Sequence, residues 1–239
     1  MTSRRIAILL TSNDTSDFAA RFPNDGQKVQ SLLRPLRPDW TYEVWSVKDG
    51  LFPPGVDAAD GYVITGSPAS VHDPLEWIRT LLEFIRQLHE NRKPVVGLCF
   101  GHQAIAQALG GQVIRNPGGW RLGTAPTHFA VRAPFMEPPL TDMTLYAAHN
   151  EQVNELPPGA TLLGGDASCP VGAFAIGSHV FTTEYHPEFT RDFVAGLVEE
   201  LDGKLPAPVI EAARAQLGAT VDGETFAHWM VRFFEQARS

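Results

Sequence analysis

Apolar runs and amphipathic segments alternate along the first hundred residues. Short aliphatic and aromatic runs, which are typical of buried strands, lie at 5–10, 42–47, 61–65 and 95–98. Residues 26–33 and 74–90 have helical spacing instead, and Pro74 is expected in the first turn of the second segment. Strands that alternate with helices predict parallel strands joined by right-handed crossovers, with ligands bound at the carboxyl ends of the strands.

The pattern changes in the second half of the chain. Between 112 and 183, short apolar runs are separated by Pro and Gly, which predicts an antiparallel or mixed section inserted beside the sheet. Residues 191–201 have helical spacing, and 206–217 and 224–238 are typical of a helical appendage. We therefore expect one α/β domain over 1–200, with 201–239 as a C-terminal helical extension of the same domain.

Aromatic residues are concentrated near the end of the chain. Trp229, Phe233 and Phe234 fall within the last helical segment. Single apolar side chains of this kind are more often core residues than parts of an interaction surface. We expect these three aromatic residues to be core contacts.

The charge balance restricts the range of partners. The 239 residues include 19 Lys and Arg against 27 Asp and Glu, a net charge of −8, which argues against nucleic acid or an anionic membrane surface as the main partner. No apolar run has the length of a signal-sequence core or a membrane span. Cys99 and Cys169 lie far apart, so a disulfide framework is not expected. These features predict a cytoplasmic protein that acts on small molecules or proteins.

Cys99 has a distinctive setting in V-V-G-L-C-F-G-H-Q, at the end of a predicted strand. The sharp reversal from strand to helix forces the cysteine into strained backbone geometry, and Gly97 and Gly101 leave the space it needs. This geometry is that of a nucleophile elbow. The N-terminus of the following helix would favour thiolate over thiol, and the Phe100 N–H would face a developing oxyanion. The alternative is an inert, buried thiol.

A cysteine nucleophile needs a base that a third group orients. His186 follows a strand-like run in F-T-T-E-Y-H-P-E-F, where Pro187 favours extended backbone and places Glu188 on the same side. His149 has the same spacing to Glu151, but it lacks the proline and the preceding strand. Spacing alone leaves both histidines open, and either could be a surface histidine beside a carboxylate.

A metal site is not expected. Cys99 and His102 have the spacing of one ligand pair of a zinc site, but no second Cys or His pair completes the four ligands. His102 is also expected to point away from the open side of the sulfur. Cys169, in A-S-C-P-V, has no flanking glycines and is interpreted as a small buried apolar residue.

Together these motifs resemble the class I, triad-type glutamine amidotransferase family. G-L-C-F-G-H-Q and E-Y-H-P-E carry the resemblance, and T-G-S-P-A-S-V, G-G-W-R-L-G and A-H-N-E-Q-V-N-E-L-P-P-G-A extend it, in family order, over roughly residues 40–190. The sequence is most similar to stand-alone members that resemble the glutaminase domain of GMP synthase. The resemblance implies an α/β fold with a three-layer, mostly parallel open sheet of the flavodoxin-like type.

The resemblance also implies a role for each matching position. Cys99, His186 and Glu188 would form a Cys-His-Glu triad, and the N–H groups of Ser67 and Phe100 would form the oxyanion hole. The other matching positions would contact the substrate: Gly66, Gln103, His149, Asn150 and Glu151. The implied chemistry is hydrolysis of the γ-carboxamide of glutamine through a γ-glutamyl thioester, with no cofactor.

Two positions depart from the family pattern. The oxyanion loop often reads Gly-Gly-Pro, and Ser67 replaces the second glycine here, so a side chain must be accommodated although the N–H donor survives. Glu184 stands two residues before His186, where the family commonly has Gln. A carboxylate there would favour the charged form of that imidazole or narrow the preference of the pocket.

The chain has no P-loop motif, and the residues after the triad are too few for an ATP-activating domain. We therefore expect a glutaminase that passes ammonia to an ATP-dependent synthetase in trans, or else a stand-alone γ-glutamyl peptidase. A catalytically silent regulatory protein is a further alternative, against which the intact triad argues. The related thiol hydrolases and chaperones tend to have His directly after the nucleophile, where this chain has Phe100.

Overall fold

The computed structural model describes residues 3–237, and strands and helices alternate through its first half. The strands are β1 (Arg5–Leu10), β2 (Thr41–Ser46), β3 (Gly61–Ile64), β4 (Val95–Leu98), β5 (Gln112–Arg115), β6 (Arg121–Phe129), β7 (Asp142–His149), β8 (Glu151–Glu155), β9 (Ala160–Gly165), β10 (Ala173–Ile176) and β11 (Val180–Thr183). The helices are α1 (Asp25–Leu33), α2 (Glu76–Glu90), α3 (Phe100–Ala108), α4 (Arg191–Leu201), α5 (Ala207–Gln216) and α6 (Gly223–Gln236). The predicted helical segments therefore correspond to real helices within a few residues, although α2 begins after Pro74 rather than around it.

A parallel half-sheet forms the centre of the fold, as the alternation of strands and helices predicts. The strands β2, β1, β3, β4 and β11 lie in this order, and each neighbouring pair is parallel. Such strands are buried on both faces because crossover helices cover them. The β3, β4 and β11 strands are accordingly buried along their whole length. Their carboxyl ends form one edge, where the candidate site lies.

Helices cover the parallel strands in two layers. On one face, Ile6 and Ile8 of β1 pack in a core cluster with residues of α1 and α6. On the other face, Ala7 and Leu9 pack in a second cluster with residues of α2 and α3. Successive residues of a strand point to opposite faces, so this alternation places the sheet between two helical layers. The predicted three-layer α/β fold with a mostly parallel open sheet is confirmed.

The sequence predicts an antiparallel section inserted beside the sheet. In the structure this section continues the sheet itself. Within residues 3–237 the sheet has nine strands, because β10, β9, β6 and β7 continue it beyond β11 with antiparallel pairing. Only β5 and β8 pair separately. The physical reason is that β11 would otherwise expose a row of unpaired N–H and C=O groups, and β10 satisfies them.

The last helix is part of the core. Trp229, Phe233 and Phe234 of α6 are almost completely buried, and the Trp229 indole N–H donates to the Pro138 carbonyl at 2.8 Å. The expectation that these aromatic residues are core contacts is confirmed. The predicted end of this helix at Arg238 lies outside the described residues. The α6 helix supplies many residues of the core cluster that also contains α1. The burial of the sheet face that these two helices cover therefore depends on α6.

Other sequence features also have a place in the structure. Both cysteines are free and buried, and Cys169 is fully enclosed, as expected for a small apolar residue. No helix in the described part of the chain is long and apolar enough to cross a membrane.

We predict that Trp229→Ala lowers the free energy of unfolding by about 3–5 kcal/mol, because it removes a large, fully buried side chain and leaves a cavity. Leu51→Ala, at a residue that is 60% exposed, is the control and should change it by less than about 0.5 kcal/mol. Urea unfolding of the three proteins measures both values. A cost below about 1 kcal/mol for Trp229→Ala would mean that α6 is not an integral part of the core.

Candidate active site

The turn between β4 and α3 has the strained geometry that the sequence predicts. Cys99 has φ +48° and ψ −105°, which a non-glycine residue adopts only when its surroundings impose it. Its N–H donates to the Thr183 carbonyl at 2.9 Å, and its carbonyl accepts from the Gln103 N–H at 3.0 Å. The backbone on both sides of the cysteine is therefore fixed, by β11 and by the first turn of α3.

The two glycines of the elbow are required by close backbone contacts. A Cβ at Gly101 would lie 2.4 Å from the Ile64 carbonyl oxygen, and a Cβ at Gly97 would lie 2.7 Å from the Gly101 carbonyl. Real Cβ atoms do not approach backbone this closely, so any side chain would separate α3 from β3. The absence of both side chains is what lets the helix begin directly after the strand.

The surroundings of Cys99 raise the pKa of its thiol, whereas the sequence predicts that the helix N-terminus favours the thiolate. Cys99 is 4% exposed, and burial raises the pKa of its thiol well above the usual value, with the carboxylates of Glu184 and Glu188 adding to the shift. The Phe100 N–H opposes that rise in pKa but is outweighed. The free-energy cost of removing a thiolate from water is larger here than the stabilisation that the N-terminus of one helix provides. The sulfur can become nucleophilic only if a base removes its proton.

His186 is held from three directions. Its Nδ1 donates to the Glu188 carboxylate at 2.7 Å, and its backbone N–H donates to the Tyr146 carbonyl at 2.8 Å. The Phe189 ring stacks on the imidazole, with centroids 3.8 Å apart and planes at 7°. Within the described residues, the buried Nε2 has no hydrogen-bond partner. The imidazole therefore has one nitrogen fixed by a carboxylate and the other available to take a proton.

His186 and Cys99 meet at Gly66. A Cβ on Gly66 would lie 2.8 Å from His186 Cε1 and 3.7 Å from the Cys99 Cβ, so the two side chains flank the same point. His149 is placed differently, because its Nδ1 bonds to the Glu151 carbonyl at 2.9 Å. The structure thus distinguishes the two histidines that spacing alone left open: the His186 ring is hydrogen-bonded to a carboxylate and lies near Cys99, whereas the His149 ring is hydrogen-bonded to a backbone carbonyl.

The loop that carries Ser67 accommodates the extra side chain. The Ser67 hydroxyl donates to the Thr11 carbonyl at 2.9 Å and accepts from the Ala69 N–H at 3.2 Å. The Thr11 hydroxyl in turn donates to the Gly66 carbonyl at 2.9 Å. The serine side chain therefore turns toward the protein and fixes the loop. Sequence reasoning missed Thr11, which lies in a polar stretch after β1 without a motif.

The positions predicted to contact the substrate form one buried polar cluster. Gln103 donates through both amide hydrogens, to the Glu151 carbonyl at 3.0 Å and to the Glu184 carboxylate at 2.7 Å. Its oxygen remains as an acceptor. The Asn150 carbonyl is used elsewhere, since it accepts from the Asn116 N–H at 2.8 Å. The structure brings Gln103, His149 and Glu151 together, while their contact with a substrate remains a prediction.

Glu184 is directed toward this cluster, and Glu188 is the hydrogen-bonded carboxylate of His186. Glu184 is fully buried, and burial raises the pKa of its carboxyl well above the usual range, although the hydrogen bond from Gln103 opposes the shift. Its second oxygen lies 3.6 Å from Nε2 of His102, whose pKa burial lowers to about 3. Glu184 is therefore fixed by a direct contact with Gln103, and its effect on His186 stays a prediction.

A cavity of about 770 Å³ opens beside Cys99 and His186. Gly66, Ser67 and Pro68 are among its lining residues. Much of the remaining wall comes from the β1–α1 loop and from α4 with the residues just before it, and the wall is rich in aromatic residues: Phe18, Phe22, Trp120, Phe189 and Phe193. In the part of the chain that the structure describes, no group of three or more His, Cys, Asp or Glu side chains is arranged for a metal ion.

We predict that Glu184→Gln stabilises the protein more at pH 8 than at pH 5. The pKa of Glu184 is higher in the folded chain than in the unfolded one, so its contribution to stability is complete at low pH and is lost as pH rises through the folded pKa. The amide cannot ionise and keeps an acceptor for Gln103. Urea unfolding of both proteins at the two pH values is the measurement, and an equal difference at both would contradict the buried, proton-binding carboxyl.

We predict that Gly101→Ala lowers the free energy of unfolding by about 1–3 kcal/mol, because the new methyl group collides with buried backbone at Ile64. Gly218→Ala is the matched control, since a Cβ at Gly218 meets nothing within 4 Å. Thermal or urea unfolding compares the two variants. Equal stabilities would show that the elbow does not depend on the glycine.

Known proteins are similar to this chain in sequence and in architecture. Residues 40–192 match the family described as glutamine amidotransferase class-I. Gamma-glutamyl peptidase 3 of Arabidopsis thaliana is 34% identical over 67% of this chain and 68% of its own length. A putative glutamine amidotransferase of Saccharomyces cerevisiae is 30% identical over 84% of this chain and 86% of its own. A GMP synthase of Aromatoleum aromaticum is 30% identical over 67% of this chain, which corresponds to 34% of its length.

Solved structures agree on the fold. A glutamine amidotransferase of Methylobacillus flagellatus superimposes with a TM-score of 0.77 at 20% identity, over 99% of this chain and 95% of that one. A glutamine amidotransferase of Thermotoga maritima has a TM-score of 0.74 at 16% identity, over 99% and 98%. At such identities the likeness concerns the fold alone. The family match and the relatives settle the classification: the chain belongs to the class I glutamine amidotransferase family.

Proposed function

We propose that the protein hydrolyses γ-glutamyl amides through Cys99, with glutamate and an amine as products. The observation that carries the proposal is the large cavity that begins at Cys99 and His186. Its volume of about 770 Å³ falls in the range of pockets that enclose drug-sized ligands, roughly 300–1,000 Å³. Glutamine, whose leaving group is only ammonia, has no use for so much space beside the nucleophile.

In the first half of the reaction, the Cys99 sulfur attacks the γ-carbonyl carbon while its proton passes to Nε2 of His186. Glu188 stabilises the imidazolium that results, and the N–H groups of Ser67 and Phe100 stabilise the oxyanion. When the tetrahedral intermediate collapses, the carbon–nitrogen bond breaks and His186 gives the proton to the leaving nitrogen. A γ-glutamyl thioester on Cys99 and a free amine are formed. Deprotonation by His186 within the complex suits a thiol whose pKa is raised by burial.

In the second half, water attacks the thioester carbonyl and His186 accepts a proton from it. Collapse of the second intermediate breaks the carbon–sulfur bond, releases glutamate and returns the proton to the sulfur. Water is the second reactant, and neither half changes an oxidation state. The balance of the two halves is hydrolysis of one amide bond by one water molecule.

The amino-acid end of the substrate is assigned to the polar cluster around Gln103. Both amide hydrogens of Gln103 are engaged, so its free oxygen is suited to accept from the α-ammonium group of a γ-glutamyl compound. Gly66 lies between the two reacting side chains and leaves room for the substrate carbonyl. The backbone at His149, Asn150 and Glu151 would provide the remaining contacts.

Hydrolysis of glutamine, with ammonia passed to an ATP-dependent synthetase in trans, is the second candidate. Family membership and the similarity to the GMP synthase of Aromatoleum aromaticum support it. That similarity is confined to a third of the synthase, however, whereas the named γ-glutamyl peptidase of Arabidopsis thaliana aligns over two thirds of both chains. The cavity and this coverage make the stand-alone hydrolase the better supported function.

We predict that Cys99→Ala lowers kcat/KM for γ-glutamyl amides by at least about 1,000-fold, since the nucleophile is lost while the fold remains. Glutamate release from L-glutamine, γ-glutamylglycine and γ-glutamylethylamide measures the activity. Cys169→Ala is the control, because that cysteine is also buried but carries no assigned step.

The pattern of substrates distinguishes the candidates. Hydrolysis of γ-glutamylethylamide by the protein alone supports the stand-alone function, and turnover restricted to glutamine supports the amidotransferase. Equal rates in the wild type and Cys99→Ala would refute both, because the measured hydrolysis would then not depend on the proposed nucleophile.

A further inference from the structure

The side of the cavity on which the leaving amine must lie follows from the proposed function. His186 donates a proton to the leaving nitrogen, so the amine departs on the side of the imidazole. His186 lines the large cavity. Gln103, His149 and Glu151, assigned to the glutamate end, are absent from the cavity lining within the described residues. The cavity is therefore the binding place of the amine and not of the glutamate.

An aromatic row leads away from the imidazole along this cavity. Phe189 stacks on His186 at 3.8 Å, and Phe193 follows with its centroid 4.4 Å from that of Phe189. Phe18 and Phe22 continue the row at 5.4 and 5.2 Å from Phe193. We call Phe18, Phe22, Phe189 and Phe193 the aromatic row. All four rings line the cavity, and Phe22 and Phe189 are only half-buried.

The fold constructs the aromatic row from two separate segments. The Thr190 hydroxyl caps α4 by accepting a hydrogen bond from the Phe193 N–H at 3.2 Å. This bond fixes the start of the helix a few residues after His186. One turn further on, Gly196 has no side chain, and a Cβ there would lie 3.0 Å from Phe18 and 3.1 Å from Phe22. The glycine thus lets the β1–α1 loop pack its two rings on α4.

The cations that line the cavity are each paired with a carboxylate. Lys28 lies 2.7 Å from Asp25, Lys48 lies 2.8 Å from Asp49, and Lys204 pairs with Glu200. Asp14 lines the same cavity and adds a negative charge. Within the described residues, the lining includes no other lysine and no arginine. An anionic leaving group, such as the free carboxylate of a dipeptide, therefore finds no unpaired cation here.

Resting on the proposed function, we propose that the preferred substrates are γ-glutamyl amides whose amine carries an uncharged aromatic group close to the scissile nitrogen. The aromatic row and Trp120, half-buried on the cavity wall, would enclose that group. Binding of an aromatic ring is favoured both by burial of its surface and by edge or face contacts with other rings. Binding energy from a part of the substrate that does not react also aligns the carbonyl with Cys99.

Three amides that differ only on the amine side test this specificity: γ-glutamylbenzylamide, γ-glutamylethylamide and γ-glutamylglycine. Glutamate release gives kcat/KM for each. We expect the benzylamide to exceed the ethylamide by about 10–100-fold, and the glycine compound to be the poorest of the three. A benzylamide rate equal to or below that of the ethylamide, or a preference for γ-glutamylglycine, would overturn the aromatic specificity while leaving the hydrolase function intact. No cleavage of any amide would overturn both.

Substitutions in the cavity wall connect the preference to these residues. Phe22→Ala is expected to reduce the benzylamide-to-ethylamide ratio of kcat/KM by at least about fivefold. Phe52→Ala is the matched control, since Phe52 is a half-buried phenylalanine beside Phe84 on the outer surface of α2. It should keep the ratio of the wild type. If Phe22→Ala does not fold, Trp120→Ala provides the same comparison. An unchanged ratio in a folded cavity variant would overturn the assignment.

Discussion

The close approach of Gly101 to the Ile64 carbonyl is the constraint on which the site depends. It brings the first turn of α3 against β3, and the chain can pass from β4 into that helix only through a residue with positive φ. Cys99 occupies this position at a cost of about 1–3 kcal/mol, which the buried strands on either side offset. The strain keeps the sulfur at the carboxyl edge of the sheet, where it cannot relax into the core.

The second side chain of the site depends on the other half of the sheet. His186 follows β11, yet its backbone pairs with Tyr146 in β7, the last strand of the antiparallel extension. For β7 to reach the chain just beyond β11, the strands between them must curl back on themselves. The antiparallel section therefore does more than extend the edge of the sheet. Through the backbone pairing of Tyr146 with His186, it helps to hold the imidazole near Cys99.

Sequence patterns predict the features that depend on residues close together in the chain. They miss the features that depend on residues far apart in the chain. The parallel strands and the elbow at Cys99 are local, so periodicity and spacing predict them, whereas spacing proposed the pair of His186 and Glu188 without excluding His149. The raised pKa of Cys99 is not local, because it follows from burial and from acidic residues more than eighty positions away in the sequence. The aromatic row was missed for the same reason: Phe22 lies in a polar loop, and nothing near it indicates its contact with Phe193.

The burial and the raised pKa of Cys99 have a consequence for its reactivity toward oxidants and alkylating reagents. Oxidants and alkylating reagents attack thiolates much faster than thiols, so low-pKa cysteines are the ones that are oxidised or modified between turnovers. Cys99 is only 4% exposed, and burial raises the pKa of its thiol. Both features slow the reaction of the sulfur with such reagents, so its reactivity is reserved for the moment when substrate and imidazole are in place.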